Sequence, residues 1–328
     1  MSLTFAGMRL ISAEEVAATT SYTDAVDALE AALRSGLDPE HDTPRSRVET
    51  DAGELLVMPA TLPGHSGVKT LSLTPGNAGS DVPVIQGGFL LMEGPAQRPA
   101  AYIDGIALTN LRTPAVSALA VRHLAPEPAG PERVTVFGTG PQARGHARAL
   151  LETREVAEVL VVGRPEAASA VVAGLAEQLD GAAARAVDRA DAEAVAQAVA
   201  TSDVICCCTS SAEPVLDGEL VRDGAVVVAM GSHDPDRREV GDALVRRASA
   251  VVVEARTAAL REAGDVVIPL SSGVLAPDLL VTLQELVTGV RTVDRGPRFF
   301  KSTGMSWEDL VVATAVYDAH GDPTRGER

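Results

Sequence analysis

The stretch VTVFGTGPQARGHARALL, residues Val134 to Leu151, joins a short apolar run to a glycine-containing turn and a stretch of helical composition. In this order of residues, the first glycine permits a tight turn, the second lets a phosphate approach the backbone, and the later small residue lets helix and strand pack closely. Amides at the helix start and the helix dipole would hold the phosphates. An ordinary tight turn is the alternative interpretation. The predicted phosphate-binding residues are Gly138, Thr139, Gly140, Gln142 and Ala143.

Further short apolar runs follow this stretch, separated by alanine-rich segments of helical length. Nearly continuous β-branched runs are typical of strands covered on both faces of a parallel sheet. The sequence therefore predicts an α/β fold with a Rossmann-type doubly wound parallel sheet. The predicted strands are Val134–Phe137, Val159–Val162, Val204–Cys208, Val226–Met230 and Val251–Val253.

The end of the second predicted strand, Gly163-Arg164, lies where a Rossmann fold contacts the adenosine ribose. A carboxylate there favours NAD, whereas a guanidinium suits the 2′-phosphate of NADP. A solvated surface arginine is the alternative interpretation of Arg164. We predict NADP as the cofactor, with NAD as the second choice.

The first 122 residues have a different pattern, which predicts an α+β arrangement. A helix is expected at Tyr22–Arg34, and Trp307–His320 has a helical pattern that would pack back on this region. The proline-containing segment Ala125–Pro131 is expected to cross between two domains that share one cleft. Strands are expected around Glu54–Met58, Val68–Ser72, Phe89–Met92 and Ala100–Tyr102.

Charge and composition narrow the class of partner. The formal charge of −17 opposes binding to nucleic acid or to an anionic membrane surface. The apolar runs are far shorter than the ~20 residues of a membrane span, and residues 1–10 lack a secretory-signal pattern. We expect a soluble, cytoplasmic protein that binds a small molecule. The cysteines are consecutive and the six histidines scattered, so no metal site is predicted.

Three motifs together resemble the ornithine cyclodeaminase/mu-crystallin family. They are Thr109-x-x-Arg112-Thr113, the turn at Gly138, and Lys301-Ser302-x-Gly304, in matching order across nearly the whole chain. The family includes ornithine and lysine cyclodeaminases, an alanine dehydrogenase, ketimine and pyrroline-2-carboxylate reductases, and mu-crystallin. The resemblance implies a homodimer. It also implies a substrate-binding and dimerisation domain, 1–122 with 305–328, into which an NAD(P)-binding Rossmann domain, 123–304, is inserted.

The resemblance further implies that Arg45, Lys69 and Arg112 bind the α-carboxylate of the substrate. Lys69 also stands out by composition, because the chain holds two lysines against 26 arginines. An ammonium whose pKa falls on burial can pass a proton, whereas a guanidinium cannot. A chance surface lysine is the alternative. Lys69 is therefore the first catalytic candidate.

Other residues are expected beside the cofactor. The resemblance places Thr113, Ser302 and Gly304 there. Thr113 and Ser117 are expected near the start of an alanine-rich helix, so caps or packing residues are the alternative for them, and a helix cap is the alternative for Ser302 and Gly304. Residues that follow parallel strands line the cofactor crevice of an open α/β sheet, although they can also simply begin a turn. The complete cofactor set adds Arg112, Gly163, Arg164, Cys208, Thr209, Ser210, Met230 and Gly231 to the phosphate-binding turn.

Two positions depart from the cyclodeaminases of the family. His233 stands where they carry an aspartate that engages the reacting amine, unless a slip of one residue makes Asp234 the match. Leu56 stands where they carry a glutamate that helps to hold the distal amine of ornithine. Without these carboxylates, a distal ammonium has no counter-charge.

These departures favour simple hydride transfer over cyclodeamination. We predict an NADPH-dependent reductase of a small ketimine or cyclic imino acid, or an alanine-dehydrogenase-like enzyme, in which His233 or Lys69 handles the proton. A cyclodeaminase with catalytic NAD is the first alternative. A non-catalytic NADPH-dependent binder of small ligands, as mu-crystallin suggests, is the second.

Overall fold

The computed structural model describes residues 7–125, 130–293 and 295–321, so most of the expected crossing at Ala125–Pro131 lies outside the described residues. Two compact units make up the chain. The first unit holds the described residues of 1–32, 41–113 and 305–328, and the second holds those of 33–40 and 114–304. Because one helix, Gly105–Leu124, runs through both units, the predicted domains 1–122 with 305–328 and 123–304 stay a prediction.

Strands and helices alternate along most of the chain. In chain order they are β1 (Arg9–Ile11), α1 (Ala13–Thr19), α2 (Tyr22–Arg34), β2 (Ser46–Thr50), β3 (Gly53–Leu62), β4 (His65–Leu73), β5 (Ile85–Glu93), β6 (Arg98–Asp104), α3 (Gly105–Leu124), β7 (Glu132–Phe137), α4 (Pro141–Thr153), β8 (Val156–Gly163), α5 (Pro165–Ala173), β9 (Ala183–Asp188), α6 (Ala192–Thr201), β10 (Val204–Cys207), β11 (Val226–Ala229), α7 (Asp242–Arg247), β12 (Val251–Val253), α8 (Arg256–Glu262), α9 (Gly264–Ser271), β13 (Leu280–Thr282), α10 (Leu283–Val287), β14 (Arg298–Lys301) and α11 (Ser306–Ala319).

The first unit contains a six-stranded sheet in the order β1-β6-β5-β4-β3-β2. All neighbours are antiparallel except β1 and β6. Side chains alternate between the two faces of a strand, and Leu56, Met58 and Ala60 of β3 are buried on one face. Helix α11 packs on β3, β4 and β5. The predicted return of the C-terminal helix to this region is therefore confirmed, as are the helix Tyr22–Arg34 and the strands expected here.

The second unit contains an eight-stranded sheet in the order β13-β12-β14-β11-β10-β7-β8-β9, with helices between the strands. Every neighbouring pair is parallel. The five predicted strands are confirmed, and the architecture is an α/β fold of Rossmann type. Strands β9, β13 and β14 were not predicted; β9 and β14 contain charged residues, and β13, with the sequence LVT, ends in a polar residue, unlike the equally short all-valine β12.

The order of strands changes direction at β7, which has β8 on one side and β10 on the other. Ligands of open α/β sheets bind beyond the carboxyl ends of the strands at such a switch point. Gly138 follows β7 there, with a φ of 115°, and a Cβ on it would collide with the carbonyl oxygen of Cys208. This position therefore requires glycine.

The helix that was expected to start near Thr113 begins earlier. Asp104 caps α3, and its Oδ1 accepts the amides of Ile106 and Ala107 at 3.0 and 2.8 Å. Thr113 and Ser117 consequently lie inside the helix and are not caps. Both are buried.

None of the helices in the described ranges combines the length and the apolar character that crossing a bilayer requires.

The buried imidazole of His146, on α4, should make the stability of the protein depend on pH. Its Nε2 lies 2.8 Å from Oγ of Ser117 and its Nδ1 2.8 Å from the carbonyl oxygen of Gln142. Burial lowers the pKa of this imidazole to about 4, so the folded state binds fewer protons than the unfolded state between that pH and the ordinary value of about 6.5. The free energy of unfolding should therefore fall by about 2 kcal/mol between pH 7.5 and 5 through this residue alone.

Denaturant titrations at the two pH values measure this loss. The variant His146→Gln should lose correspondingly less stability on acidification. Ser117→Ala should keep the slope of the parent, because burial is the main cause of the lowered pKa. Equal slopes for the parent and His146→Gln would contradict the prediction.

Candidate functional site

The predicted phosphate-binding turn lies between β7 and α4. Gly140 is the N-cap of α4, is exposed, and has no protein atom within 4 Å of the position its Cβ would take. Pro141 occupies the first helical position. Ala143 is fully buried, and a Cβ on Gly163 would collide with the side chain of Thr139. The turn thus packs closely on its inner side and leaves its backbone open at Gly140, which fits a pyrophosphate.

Arg164 lies directly after β8 as the exposed N-cap of α5. The next strand ends beside it, where the amide of Arg189 donates to the carbonyl oxygen of Gly163 at 2.9 Å. Asp188 pairs with Gly163 in the sheet, and its Oδ1 accepts the amide of Ala190 at 2.9 Å. Sequence reasoning missed Asp188 and Arg189 because β9 was not predicted.

The residues predicted after β10 and β11 lie at the carboxyl ends of adjacent strands. Cys208 is buried, which raises the pKa of its thiol well above the ordinary value, whereas Ser210 is exposed and Met230 half-buried. The amides of Thr209 and Gly231 donate to the carboxylate of Glu239, at 2.7 and 2.6 Å. Glu239 was not predicted from the sequence.

The segment after β14 is held by a second buried carboxylate, Glu254. Its Oε1 accepts the hydroxyl of Ser302 at 2.6 Å and the amide of Gly304 at 3.0 Å. Its Oε2 accepts the amide of Thr303 at 2.8 Å. Ser302 and Gly304 are therefore fixed at the end of the strand adjacent to β11.

In the first unit, one carboxylate binds two of the predicted substrate-binding cations. Nζ of Lys69 on β4 lies 2.8 and 2.7 Å from the two carboxylate oxygens of Asp309 on α11. The Nε of Arg112 lies 3.0 Å from Oδ1 of Asp309, and its NH1 lies 2.9 Å from Oε2 of Glu308. Lys69 and Arg112 are 1% and 6% exposed, and both carboxylates are fully buried. The cations are thus fixed in position by α11.

Helix α11 is itself held in place at its first turn. Oδ2 of Asp42 accepts the amides of Ser306 and Trp307 at 2.8 and 3.3 Å. Burial raises the pKa of the Asp42 carboxyl to about 6.

Lys69 has the chemistry expected of a proton donor. Burial, together with the nearby charges of Arg112 and Arg45, lowers the pKa of its ammonium to about 8, although Asp309 opposes the shift. Arg45, just before β2, is half-buried. All three predicted cations therefore act electrostatically at one place in the first unit. The hydroxyl of Thr113 is buried and has no hydrogen-bond partner among the described residues.

The two departures from the cyclodeaminases also have defined positions. Leu56 is 6% exposed and lies on the same face of the sheet as Lys69, since Leu56 pairs with Leu71 and Met58 with Lys69. His233 and Asp234 are half-buried in the loop after β11. Among the described residues, no group of three or more His, Cys, Asp or Glu side chains is arranged to hold a metal ion.

Known proteins resemble the chain over most of its length. The ketimine reductase mu-crystallin of Mus musculus is 34% identical over 270 residues, or 81% of this chain and 80% of that protein. The Δ1-pyrroline-2-carboxylate reductase of Thermococcus litoralis, solved with NADH and L-proline, is 28% identical with a TM-score of 0.86, covering 96% of this chain and 99% of that one. An archaeal alanine dehydrogenase dimer with bound NAD is 27% identical with a TM-score of 0.84, covering 95% of both chains.

The sequence model of one family matches nearly the whole chain, from residue 8 to residue 322. The resemblance predicted from three short motifs is thereby confirmed. The chain belongs to the ornithine cyclodeaminase/mu-crystallin family.

Proposed function

We propose that this protein is an oxidoreductase that reduces the C=N bond of a small ketimine or cyclic imino acid with a nicotinamide cofactor. The observation that carries the proposal is the buried cluster of Lys69 and Arg112 on Asp309, with aliphatic Leu56 on the same face of the sheet. Cations suit an α-carboxylate, and an aliphatic group suits a substrate without a distal charge. The ketimine and pyrroline-2-carboxylate reductases that this chain resembles support the same reaction.

The turn at Gly138, the start of α4 and the strand ends of the second unit would hold the dinucleotide. When bound, the nicotinamide supplies a hydride to the imine carbon. The open backbone at Gly140 is consistent with a ligand, as is the buried hydroxyl of Thr113, which has no hydrogen-bond partner in the ranges that the structure describes. Arg164, exposed directly after β8, would bind a 2′-phosphate, so NADP is the expected form and NAD the second choice.

The proposed roles of the chain's own residues are binding and proton transfer. Arg45, Lys69 and Arg112 orient the carboxylate, which fixes the direction in which the reacting carbon faces. The imine nitrogen must carry a proton before its carbon accepts a hydride. The Lys69 ammonium can donate that proton near neutral pH, and the imidazole of His233 is the second candidate.

Cyclodeamination is the alternative reaction. It would require a carboxylate near the distal ammonium of ornithine, and the position expected for one carries buried Leu56. Burial and two arginines lower the pKa of the Lys69 ammonium to about 8. A non-catalytic binder would not need an ammonium with such a lowered pKa. Both alternatives are therefore weaker than reduction.

We also propose that the protein forms a homodimer through the sheet of the first unit. The face opposite α11 carries exposed apolar side chains at both edges: Leu10 and Tyr102 are 72% and 41% exposed, and Val48 and Leu55 are 51% and 36% exposed. Such a face favours a protein partner, and the similar alanine dehydrogenase is a dimer. The cytoplasmic location expected from the sequence stays a prediction.

Arg164 predicts which cofactor binds more tightly. The Kd for NADPH should be lower than the Kd for NADH by about tenfold or more. Arg164 would form charge-assisted hydrogen bonds to the 2′-phosphate, and these are stronger than hydrogen bonds between neutral groups. Arg164→Asp should reverse this order, as measured by fluorescence titration of each reduced cofactor. Arg148→Asp, the same change at an exposed position of α4, should preserve it. Tighter binding of NADH by the parent, with no change in Arg164→Asp, would refute this role.

Lys69 predicts the pH dependence of imine reduction. Since the ammonium is the proposed acid, the rate should fall as pH rises through about 8. Lys69→Arg retains the positive charge but cannot release a proton, so kcat should fall about 100-fold or more while KM changes less. Lys69→Met should weaken substrate binding as well. A Lys69→Arg variant with the kcat and pH profile of the parent would exclude Lys69 as the acid.

Because the side chain of Leu56 is uncharged, we expect poor turnover of ornithine. An unpaired buried ammonium costs several kcal/mol, so ornithine should be disfavoured by about 100-fold or more against pyrroline-2-carboxylate. Leu56→Glu should raise kcat/KM for ornithine relative to Leu56→Gln, which has the same size and no charge. Proline and ammonia are the products to measure. Efficient proline formation from ornithine by the parent, without oxidation of NADPH by the imine, would restore the cyclodeaminase interpretation.

A further inference from the structure

Three charged side chains are buried together in the second unit at the carboxyl ends of β10, β11 and β14. Glu239 and Asp265 are fully buried and Lys301 is 1% exposed. Burial raises the pKa of the Glu239 carboxyl, and the charge of Lys301 opposes this shift. Lys301 is one of only two lysines in the chain. The reductase chemistry proposed above uses none of these three residues.

Glu239 joins the loops that follow two adjacent strands. Its Oε1 accepts both the amide and the hydroxyl of Thr209, after β10, at 2.7 Å each. Its Oε2 accepts the amide of Gly231, after β11, at 2.6 Å. A Cβ on Gly231 would collide with the carbonyl oxygen of Thr209. The two loops are therefore in direct contact, and one carboxylate fixes both.

Asp265 and Lys301 hold Glu239 in place. Oδ1 of Asp265, in the first turn of α9, accepts the amides of Glu239 and Val240 at 2.9 and 2.8 Å. Its Oδ2 lies 2.9 Å from Nζ of Lys301. The same ammonium donates to the carbonyl oxygen of Ser232 at 2.6 Å. The last residue of β14 is thus tied to the loop that carries His233.

A purely structural ion pair is the competing explanation, but it accounts poorly for the arrangement. Burying two carboxylates with one ammonium carries a large desolvation cost, and such groups seldom add net stability over apolar ones. Within the described part of the chain, the hydrogen bonds of the Glu239 carboxylate all go to loops at the cofactor end of the sheet. The cluster therefore specifies the geometry of these loops.

We propose that Glu239 is a positioning residue for the nicotinamide cofactor, fixing the loops Thr209–Ser210 and Met230–Gly231 through bonds that Asp265 and Lys301 support. The proposal rests on the cofactor site described under the proposed function. It also revises two predicted contacts: the amides of Thr209 and Gly231 donate inward to Glu239, so these residues serve the cofactor through the shape of their loops and not through their amides.

The variant Glu239→Gln tests this role. The two loops bond to different oxygens of Glu239, and in glutamine one of these oxygens is replaced by an NH2 group that cannot accept, so one loop loses its anchor. The Kd for NADPH, from fluorescence titration of the full-length protein, should rise about tenfold, as expected for the loss of hydrogen bonds to a charged group. Glu239→Asp retains the charge but is one methylene shorter, so it should also bind weakly. Recovery of the parent Kd by Glu239→Asp would contradict a role in positioning.

Glu132→Gln is the matched control. Glu132 is also buried and paired with an arginine, Arg154, but it lies at the start of β7, the opposite end of the strand. This variant should lower Tm without changing the Kd for NADPH. If Glu239→Gln folds with a lower Tm and an unchanged Kd for NADPH, the cluster has only a structural role and the inference is wrong.

Failure of the role of Glu239 can be distinguished from failure of the proposed function. If Glu239→Gln does not fold, Thr209→Val removes the hydroxyl that donates to Glu239 and accepts the amide of Ser211, and it should raise the Kd about threefold. An unchanged Kd there overturns the inference. A parent protein that binds neither NADPH nor NADH would contradict the proposed function itself. A parent that binds, with variants that bind equally well, contradicts only the role of Glu239.

Discussion

Buried charge must be neutralised, and this constraint sets the positions of the candidate functional residues in both units. In the first unit, Asp309 binds Lys69 and Arg112 simultaneously. In the second, Glu239, Glu254 and Asp265 accept hydrogen bonds from the segments that follow three parallel strands. A removed partner would leave an unpaired charge in the interior, which is far more costly than an altered surface residue. The candidate cations and loops are thus held in position by the protein's own carboxylates.

Much of the second unit could be predicted from the sequence because several of its strands contain short, nearly continuous apolar runs. The run Val226–Ala229 is covered on both faces and carries no polar residue, so its composition alone identifies it. Strand β9, with the sequence AARAVD, and β14, with RFFK, lack that signal. Their position depends on pairing with neighbours in the sheet, which a local pattern does not contain.

The cations and glycines of the candidate site could be predicted, whereas the carboxylates that hold them could not. Gly138 is marked by a local motif, and Lys69 by the scarcity of lysine. Asp309 lies at the other end of the chain from Lys69 and looks like an ordinary acidic residue in the first turn of a helix. Glu239 has no motif at all. Their roles follow from tertiary contacts, so only the structure identifies them.

Transfer of a deuteride from cofactor to product tests the reductase assignment most directly. Purified protein would be incubated with pyrroline-2-carboxylate and NADPH labelled with deuterium at the transferred position of C4. One NADPH should be oxidised for each proline formed, with the deuterium at C2 of proline. Formation of proline from ornithine with no net oxidation of the cofactor, and no label transfer to the imine, would contradict the assignment.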